Sequence, residues 1–195
     1  MSLSTFSVYL IIVNVIGFII YGINCFIHLR YDKNIDFLVY IVSVLAGNIG
    51  MILAMILFDK KANKINMMQR IIIFCMLVIN LVTFLFYKGY FIDHISFPIV
   101  SFYQKYKFFI VYLVIINVIT LACFGLDKIR SMQEGKERIS IVALLTLCAV
   151  GGTIGGLIGM YLYRHKTKKN YFYLGLPMIL LTQLVVMFYF INILG

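Results

Sequence analysis

Charge is scarce in this chain of 195 residues: Asp, Glu, Lys and Arg make up 12% of it, where a soluble domain has about 25%. Acidic residues are scarcer still, seven against 17 Lys and Arg, for a formal charge of +10. With 63% of the residues hydrophobic and a mean hydropathy of +1.02, a core of this size cannot hide the apolar surface, which excludes an ordinary water-soluble domain and makes lipid the solvent. Only two prolines occur, Pro98 and Pro177, and neither breaks the centre of an apolar run. The four cysteines, Cys25, Cys75, Cys123 and Cys148, form no C-x-x-C pair, which speaks against a zinc or redox site and for small buried hydrophobes. There is no G-x-S-x-G, H-E-x-x-H or phosphate loop, so neither an enzyme nor a cofactor is expected. The first residues lack the basic start of a signal peptide, and their apolar run is too long for one, so a retained membrane segment is expected there.

What is present is apolar sequence in long pieces. Six runs free of Asp, Glu, Lys and Arg stand out: Phe6–Ile27, Phe37–Phe58, Ile71–Tyr87, Phe108–Leu126, Ile139–Tyr163 and Tyr171–Leu194. A crossing needs about 20 residues, with a range of roughly 17–25, and all six qualify. Backbone groups in lipid must pair within the segment, so the runs are expected to be helices. Between the third and fourth runs lies a stretch rich in Tyr and Phe, residues 88–107, read as an interfacial linker because such rings favour the headgroup region.

The two halves align. Asn14-Val15-Ile16 matches Asn117-Val118-Ile119, and Tyr21-Gly22-Ile23-Asn24 matches Phe124-Gly125-Leu126-Asp127, each 103 residues on. Gly47-x-Ile49-Gly50 with Met55 matches Gly152-x-Ile154-Gly155 with Met160, 105 residues on. The expected architecture is an all-α integral membrane protein of about six helices in two homologous three-segment repeats. Residues 1–87 form a degenerate first copy, 88–107 the linker and 108–195 the second copy. The first copy has Asn24, Cys25 and Lys60 where the second has Asp127, Lys128 and His165, so any chemistry is expected in the second.

One stretch carries a family resemblance: Gly125-Leu126-Asp127-Lys128, then Gly151-Gly152 with Gly155 and Gly159-Met160, then Arg164-His165-Lys166-Thr167. Together with Asn117, Arg138-Ile139 and Pro177, this resembles the bacterial small membrane proteins known as domain-of-unknown-function family 1294, over roughly residues 110 to 180. The chain departs from that pattern with Ser140-Ile141 where the family's loop reads Pro-Glu, and with Ser131 in place of an Ala. The resemblance implies a bacterial plasma-membrane protein and brings no established activity with it.

Six residues form the candidate polar site: Asn117, Asp127, Lys128, Arg138, His165 and Lys166. A carboxylate at membrane depth is expensive unless paired, and Lys128 or Arg138 are the partners expected for Asp127; the bland reading is an ion pair at a helix end. His165 is a candidate proton relay, or part of a basic anchor for anionic lipid headgroups with Arg164, Lys166, Lys168 and Lys169. Asn117, like Asn14, either bonds between helices or lines a polar path. Gly151, Gly155 and Gly159 lie four apart, with Gly152 beside them and Ala46, Gly50 and Ala54 as counterparts. They read as a close-packing face, or as a bent helix beside a site.

Partners follow from the same features: the bilayer, with anionic headgroups at the basic loops, and no direct nucleic acid, while monomer and homo-oligomer both stay open. Topology divides the evidence. With six spans the Lys and Arg split eight against nine; with segments two and five bent into re-entrant hairpins they split 14 against three, a far stronger positive-inside bias. Length permits both and the packing glycines favour spanning, so six spans is the expectation. Function reads as a small ion or solute transporter or channel, or else as a non-transporting scaffold or lipid-binding accessory protein.

Overall fold

The computed structural model describes residues 5–31, 35–59, 65–88, 106–133 and 135–194. The expected linker 88–107 falls almost wholly outside the described residues, as does Lys60. All regular structure among the described residues is helical. The helices are α1 (Thr5–Tyr31), α2 (Asp36–Val44), α3 (Asn48–Phe58), α4 (Met67–Tyr87), α5 (Lys107–Ser131), α6 (Ile141–Leu147), α7 (Thr153–Leu162), α8 (Asn170–Tyr173) and α9 (Gly175–Leu194), with a π-helical turn over Cys148–Gly152 between α6 and α7. They divide into two compact units, Met1–Phe84 and Leu85–Gly195.

Five helical segments are long and apolar enough to cross a membrane by length and composition: Thr5–His28, Met67–Tyr87, Lys107–Ser131, Ile141–Leu162 and Asn170–Ile193. Their outer faces carry large exposed apolar side chains, among them Ile11, Ile12 and Val15 on α1 and Val114, Ile115 and Val118 on α5. A surface of that kind is suited to lipid and not to water. Pro177 sits in the first turn of α9, where its missing N–H is not needed.

Segment 141–162 has both of its ends at one point. Its entry, Ile139, donates its backbone N–H to Asp127 Oδ1 at 3.1 Å, and its exit, His165, has Nε2 2.7 Å from Oδ2 of the same carboxylate. Midway, the Asn117 side chain donates to Gly151 O at 2.9 Å. The chain therefore leaves the Asp127 end of α5, turns beside Asn117 and returns, with α7 parallel to α5. Arms of 7 and 10 residues give about 10 and 15 Å of helix, roughly a third and a half of a hydrocarbon core of about 30 Å. Gly151 makes the bend with φ 122°, a conformation L side chains rarely adopt. Unit two is thus two long helices, α5 and α8–α9, around a re-entrant hairpin.

The first unit is built the same way. Ile35 N donates to Asn24 Oδ1 at 2.7 Å, and Asp59, at the far end of the segment, accepts from the Tyr21 hydroxyl at 3.0 Å. Both ends of 35–59 thus meet the same part of α1, while Asn14 donates to Ala46 O at the bend. Here Ala46 takes the left-handed conformation, with φ 71°. Around this hairpin packs a core that includes Tyr21, Val39, Met51, Ala54 and Ile73.

Segments two and five therefore fold back as hairpins, the arrangement of four long helices and two hairpins that stood as the alternative. A bend leaves backbone carbonyls that need partners away from water, and side chains supply them. Cys148 O accepts from Gln183 Nε2 and Thr153 Oγ1, Ala149 O from Gln183 Nε2, Val150 O from the Tyr112 hydroxyl and Gly151 O from Asn117. In the first unit Ser43 O accepts from Asn48 and Asn80, Leu45 O from the Tyr9 hydroxyl and Ala46 O from Asn14. The glycine row is corrected. Gly151 forms the bend and Gly152 packs on Thr120, while Gly155 and Gly159 lie on α7 against Asn117 and Phe124.

Candidate functional site

Asp127 lies near the C-terminal end of α5 and is fully buried. A carboxylate there opposes the helix dipole as well as losing water, so it needs donors. Oδ1 accepts from Ile139 N. Oδ2 receives Lys166 Nζ at 2.7 Å and His165 Nε2 at 2.7 Å. Lys166 is further held with Nζ 5.0 Å above the Phe172 ring, a cation–π contact. Phe172 is itself fully buried and edge-on to Phe124, with ring centroids 5.6 Å apart.

The loop that delivers both side chains is a turn with two left-handed residues. His165 N donates to Met160 O at 3.0 Å and Arg164 has φ 46°, the Schellman ending of a helix, where glycine is the usual residue. Lys166 follows with φ 64°. This path turns residues 165 and 166 inward to Asp127 and leaves Arg164, Lys168 and Lys169 exposed. One carboxylate therefore ties together the start of the hairpin, its end and the helix beside it. Chemically this is a latch. The Asp127 carboxylate closes it, with the Lys166 ammonium and the His165 ring on one oxygen.

A second polar feature sits at the bend. Asn117 donates to Leu113 O at 2.7 Å and Gly151 O at 2.9 Å, and accepts from Gly155 N at 2.7 Å. A Cβ on Gly155 would collide with the Asn117 carbonyl, so glycine is what lets α7 approach α5 this closely. Asn14 makes the corresponding bonds to Leu10 O, Ala46 O and Gly50 N.

Of the six expected site residues, Asp127, His165 and Lys166 come together. Asn117 belongs to the clasp at the bend. The partners expected for Asp127 differ: Lys128 is half-buried with no polar partner among the described residues, and the exposed Arg138 donates to Ser131 O at 3.3 Å. Adjacent helix residues point to different faces, which takes Lys128 away from whatever Asp127 meets. Sequence reasoning passed over Phe172, Thr153 and Gln183. The signal available for Gln183 was an amide inside a charge-free run. No group of three or more His, Cys, Asp or Glu among the described residues could hold a metal ion.

The profile of a family described as "Protein of unknown function (DUF1294)" matches residues 117–172. An uncharacterized protein of Bacillus subtilis (strain 168), YsdA, is 39% identical over 74 residues, which are 38% of this chain and 82% of the relative. The chain belongs to the DUF1294 family. The DUF1294 match opens on the clasp residue Asn117 and closes on Phe172, beneath Lys166, so it takes in both polar features of the second unit. No solved structure matches.

Proposed function

We propose that this DUF1294 protein is a multi-pass protein of a bacterial plasma membrane that moves a small ion or solute, with the second-unit hairpin as its moving part and Asp127 as the lock. The carrying observation is that both ends of a half-depth hairpin are tied to one buried carboxylate with a Lys and a His on it. Broken, re-entrant segments and buried ionisable groups mark substrate paths in membrane transporters. Eight basic residues, from Lys128 to Lys169, flank the Asp127 end of the second unit, against Lys107 at the other end of α5, which favours a cytoplasmic Asp127 end. Duplication is part of the reading. It is supported by matching bonds in the two units, Asn14 with Asn117, Tyr9 with Tyr112 and Asn80 with Gln183, each pair 103 residues apart. No catalytic step is assigned.

A non-transporting scaffold is a second reading, favoured by the bend carbonyls. In a conducting filter such carbonyls face the ion, whereas here side chains of the same unit occupy them. Flux in reconstituted liposomes separates the two. Transport predicts counterflow or ion flux above that of empty vesicles, reduced at least tenfold by Asp127→Asn. Wild-type flux equal to that of empty vesicles over cations, anions and protons leaves the scaffold.

A further inference from the structure

Arg164, Lys168 and Lys169 are exposed, and among the described residues none of them has an ion-pair or side-chain hydrogen-bond partner. The same holds for the exposed Arg130 and the half-buried Lys128 on the last turn of α5. The acids at this end are few. Asp127 is buried and already neutralised by Lys166, Glu137 is exposed, and Glu134 lies outside the described residues. The uncompensated cations sit where three apolar helices end. Lys168 and Lys169 directly precede the candidate span Asn170–Ile193, Arg164 follows α7, and Lys128 and Arg130 close α5. Large exposed apolar residues adjoin them, including Leu126, Ile129, Leu162, Tyr173 and Leu174. Cations above an apolar wall match an anionic phospholipid, with its phosphate at the charges and its chains along the helices.

The backbone adds an independent reason. Arg164 occupies the left-handed position of a Schellman turn, where glycine carries no strain. A bulky side chain retained in that conformation against its strain is a pointer to use. The neighbouring left-handed residue, Lys166, uses its side chain on Asp127. Among the described residues Arg164 has no such use.

We infer that Arg164, Lys168 and Lys169, supported by Lys128 and Arg130, form a docking surface for the headgroups of anionic phospholipids. The site is separate from the latch: the inward side chains of the loop serve Asp127 and the outward ones serve the lipid. The inference does not depend on transport.

The test uses the full-length protein in neutral detergent, with thermal unfolding followed as short-chain phosphatidylglycerol, phosphatidylcholine or inorganic phosphate is added. Phosphatidylglycerol is expected to raise the unfolding temperature, with an effect that shrinks in high salt, while the other two do little. Arg164→Gln/Lys168→Gln/Lys169→Gln is expected to weaken the phosphatidylglycerol response about ten- to a hundredfold in apparent affinity. Lys136→Gln/Arg138→Gln, which removes basic charge from the neighbouring loop, is expected to leave it nearly unchanged. Arg164→Gly separates lipid from fold: it is expected to unfold at the wild-type temperature or above without lipid, yet to respond less to phosphatidylglycerol. An undiminished response in the triple variant, an equal loss in the Lys136/Arg138 control, or an equal effect of inorganic phosphate overturns the headgroup site.

Discussion

Asp127 ties three partners together, and its substitution separates two roles. As an acceptor it holds Ile139 N; as an anion it holds Lys166. Asp127→Leu removes both and strands a cation whose side chain is 15% exposed. The loss of one partner of a buried pair costs about 3–5 kcal/mol, with the lower end expected because Lys166 reaches some water. Asp127→Asn keeps an acceptor for Ile139 N, as Asn24 does for Ile35 N in the first unit, and is expected to lose about half as much. Thermal unfolding of the two variants in detergent measures both. If Asp127→Asn matches Asp127→Leu, the hydrogen bond at the hairpin entry contributes nothing and the ion pair alone is the latch. The first unit bonds the two ends of its hairpin without a buried carboxylate on α1. Asn24 bonds Gln69 and Ile35, and the hairpin's own Asp59 takes Tyr21, Asn66 and Arg70, the last at 3.0 Å. That difference follows from the Asn24-for-Asp127 exchange already visible in the two aligned halves.

Each hairpin is stabilised as an element by close backbone approach and by its bend, and each of these answers to a single methyl group. Gly155→Ala puts a Cβ into the Asn117 carbonyl and pushes α7 off α5, with an expected loss of about 1–3 kcal/mol from overpacking. Ile158→Ala, at a side chain 52% exposed on the same helix, is the control and is expected to change little in detergent. At the first bend the direction reverses. Ala46 is left-handed with φ 71°, which costs a non-glycine residue about 1–2 kcal/mol, while glycine there loses about 0.4–1 kcal/mol more chain entropy on folding. Ala46→Gly is therefore expected to stabilise by about 0.5–1 kcal/mol in the same melting assay, and a clear loss of stability would show the bend is not strained. The small-residue pattern Ala46/Gly50/Ala54 and Gly151/Gly155/Gly159 made close helix packing legible. It left a bend at the glycines open without deciding for it. Spacing by four reads as one helix face whether or not the helix is continuous, and a left-handed φ on Ala46 leaves no mark in composition.

At the scale of the molecule, helical class and lipid solvent were legible because six charge-free runs admit little else. The path of the chain was less so, since length fits both a crossing and a fold-back. Basic residues were the better guide than glycines: a split of 14 against three for hairpins and eight against nine for spans pointed to the geometry that Ile139 and His165 now show by meeting on Asp127. The bend polar groups supply the reason the hairpins are tolerable at depth, and Gln183 and Tyr112 are too far from the bend in sequence for that role to be read locally. The geometry predicts sidedness. Gln133 follows α5 and Lys168 follows the hairpin, both exposed; a half-depth hairpin puts them on one side of the membrane, whereas a crossing would put them on opposite sides. Lys107 opens α5 at its other end. With Cys25, Cys75, Cys123 and Cys148 replaced, single cysteines at positions 133 and 168 are expected to resist a membrane-impermeant maleimide in intact cells and to react in inverted vesicles, because basic loops as a rule stay in the cytoplasm. A cysteine at position 107 is expected to do the reverse. Labelling of positions 133 and 168 from opposite sides would mean the hairpin opens into a crossing in the bilayer, and would separate Asp127 from His165 and Lys166. Labelling of both from outside would keep the latch intact and invert the orientation, leaving the basic end to be explained by something other than charge retention.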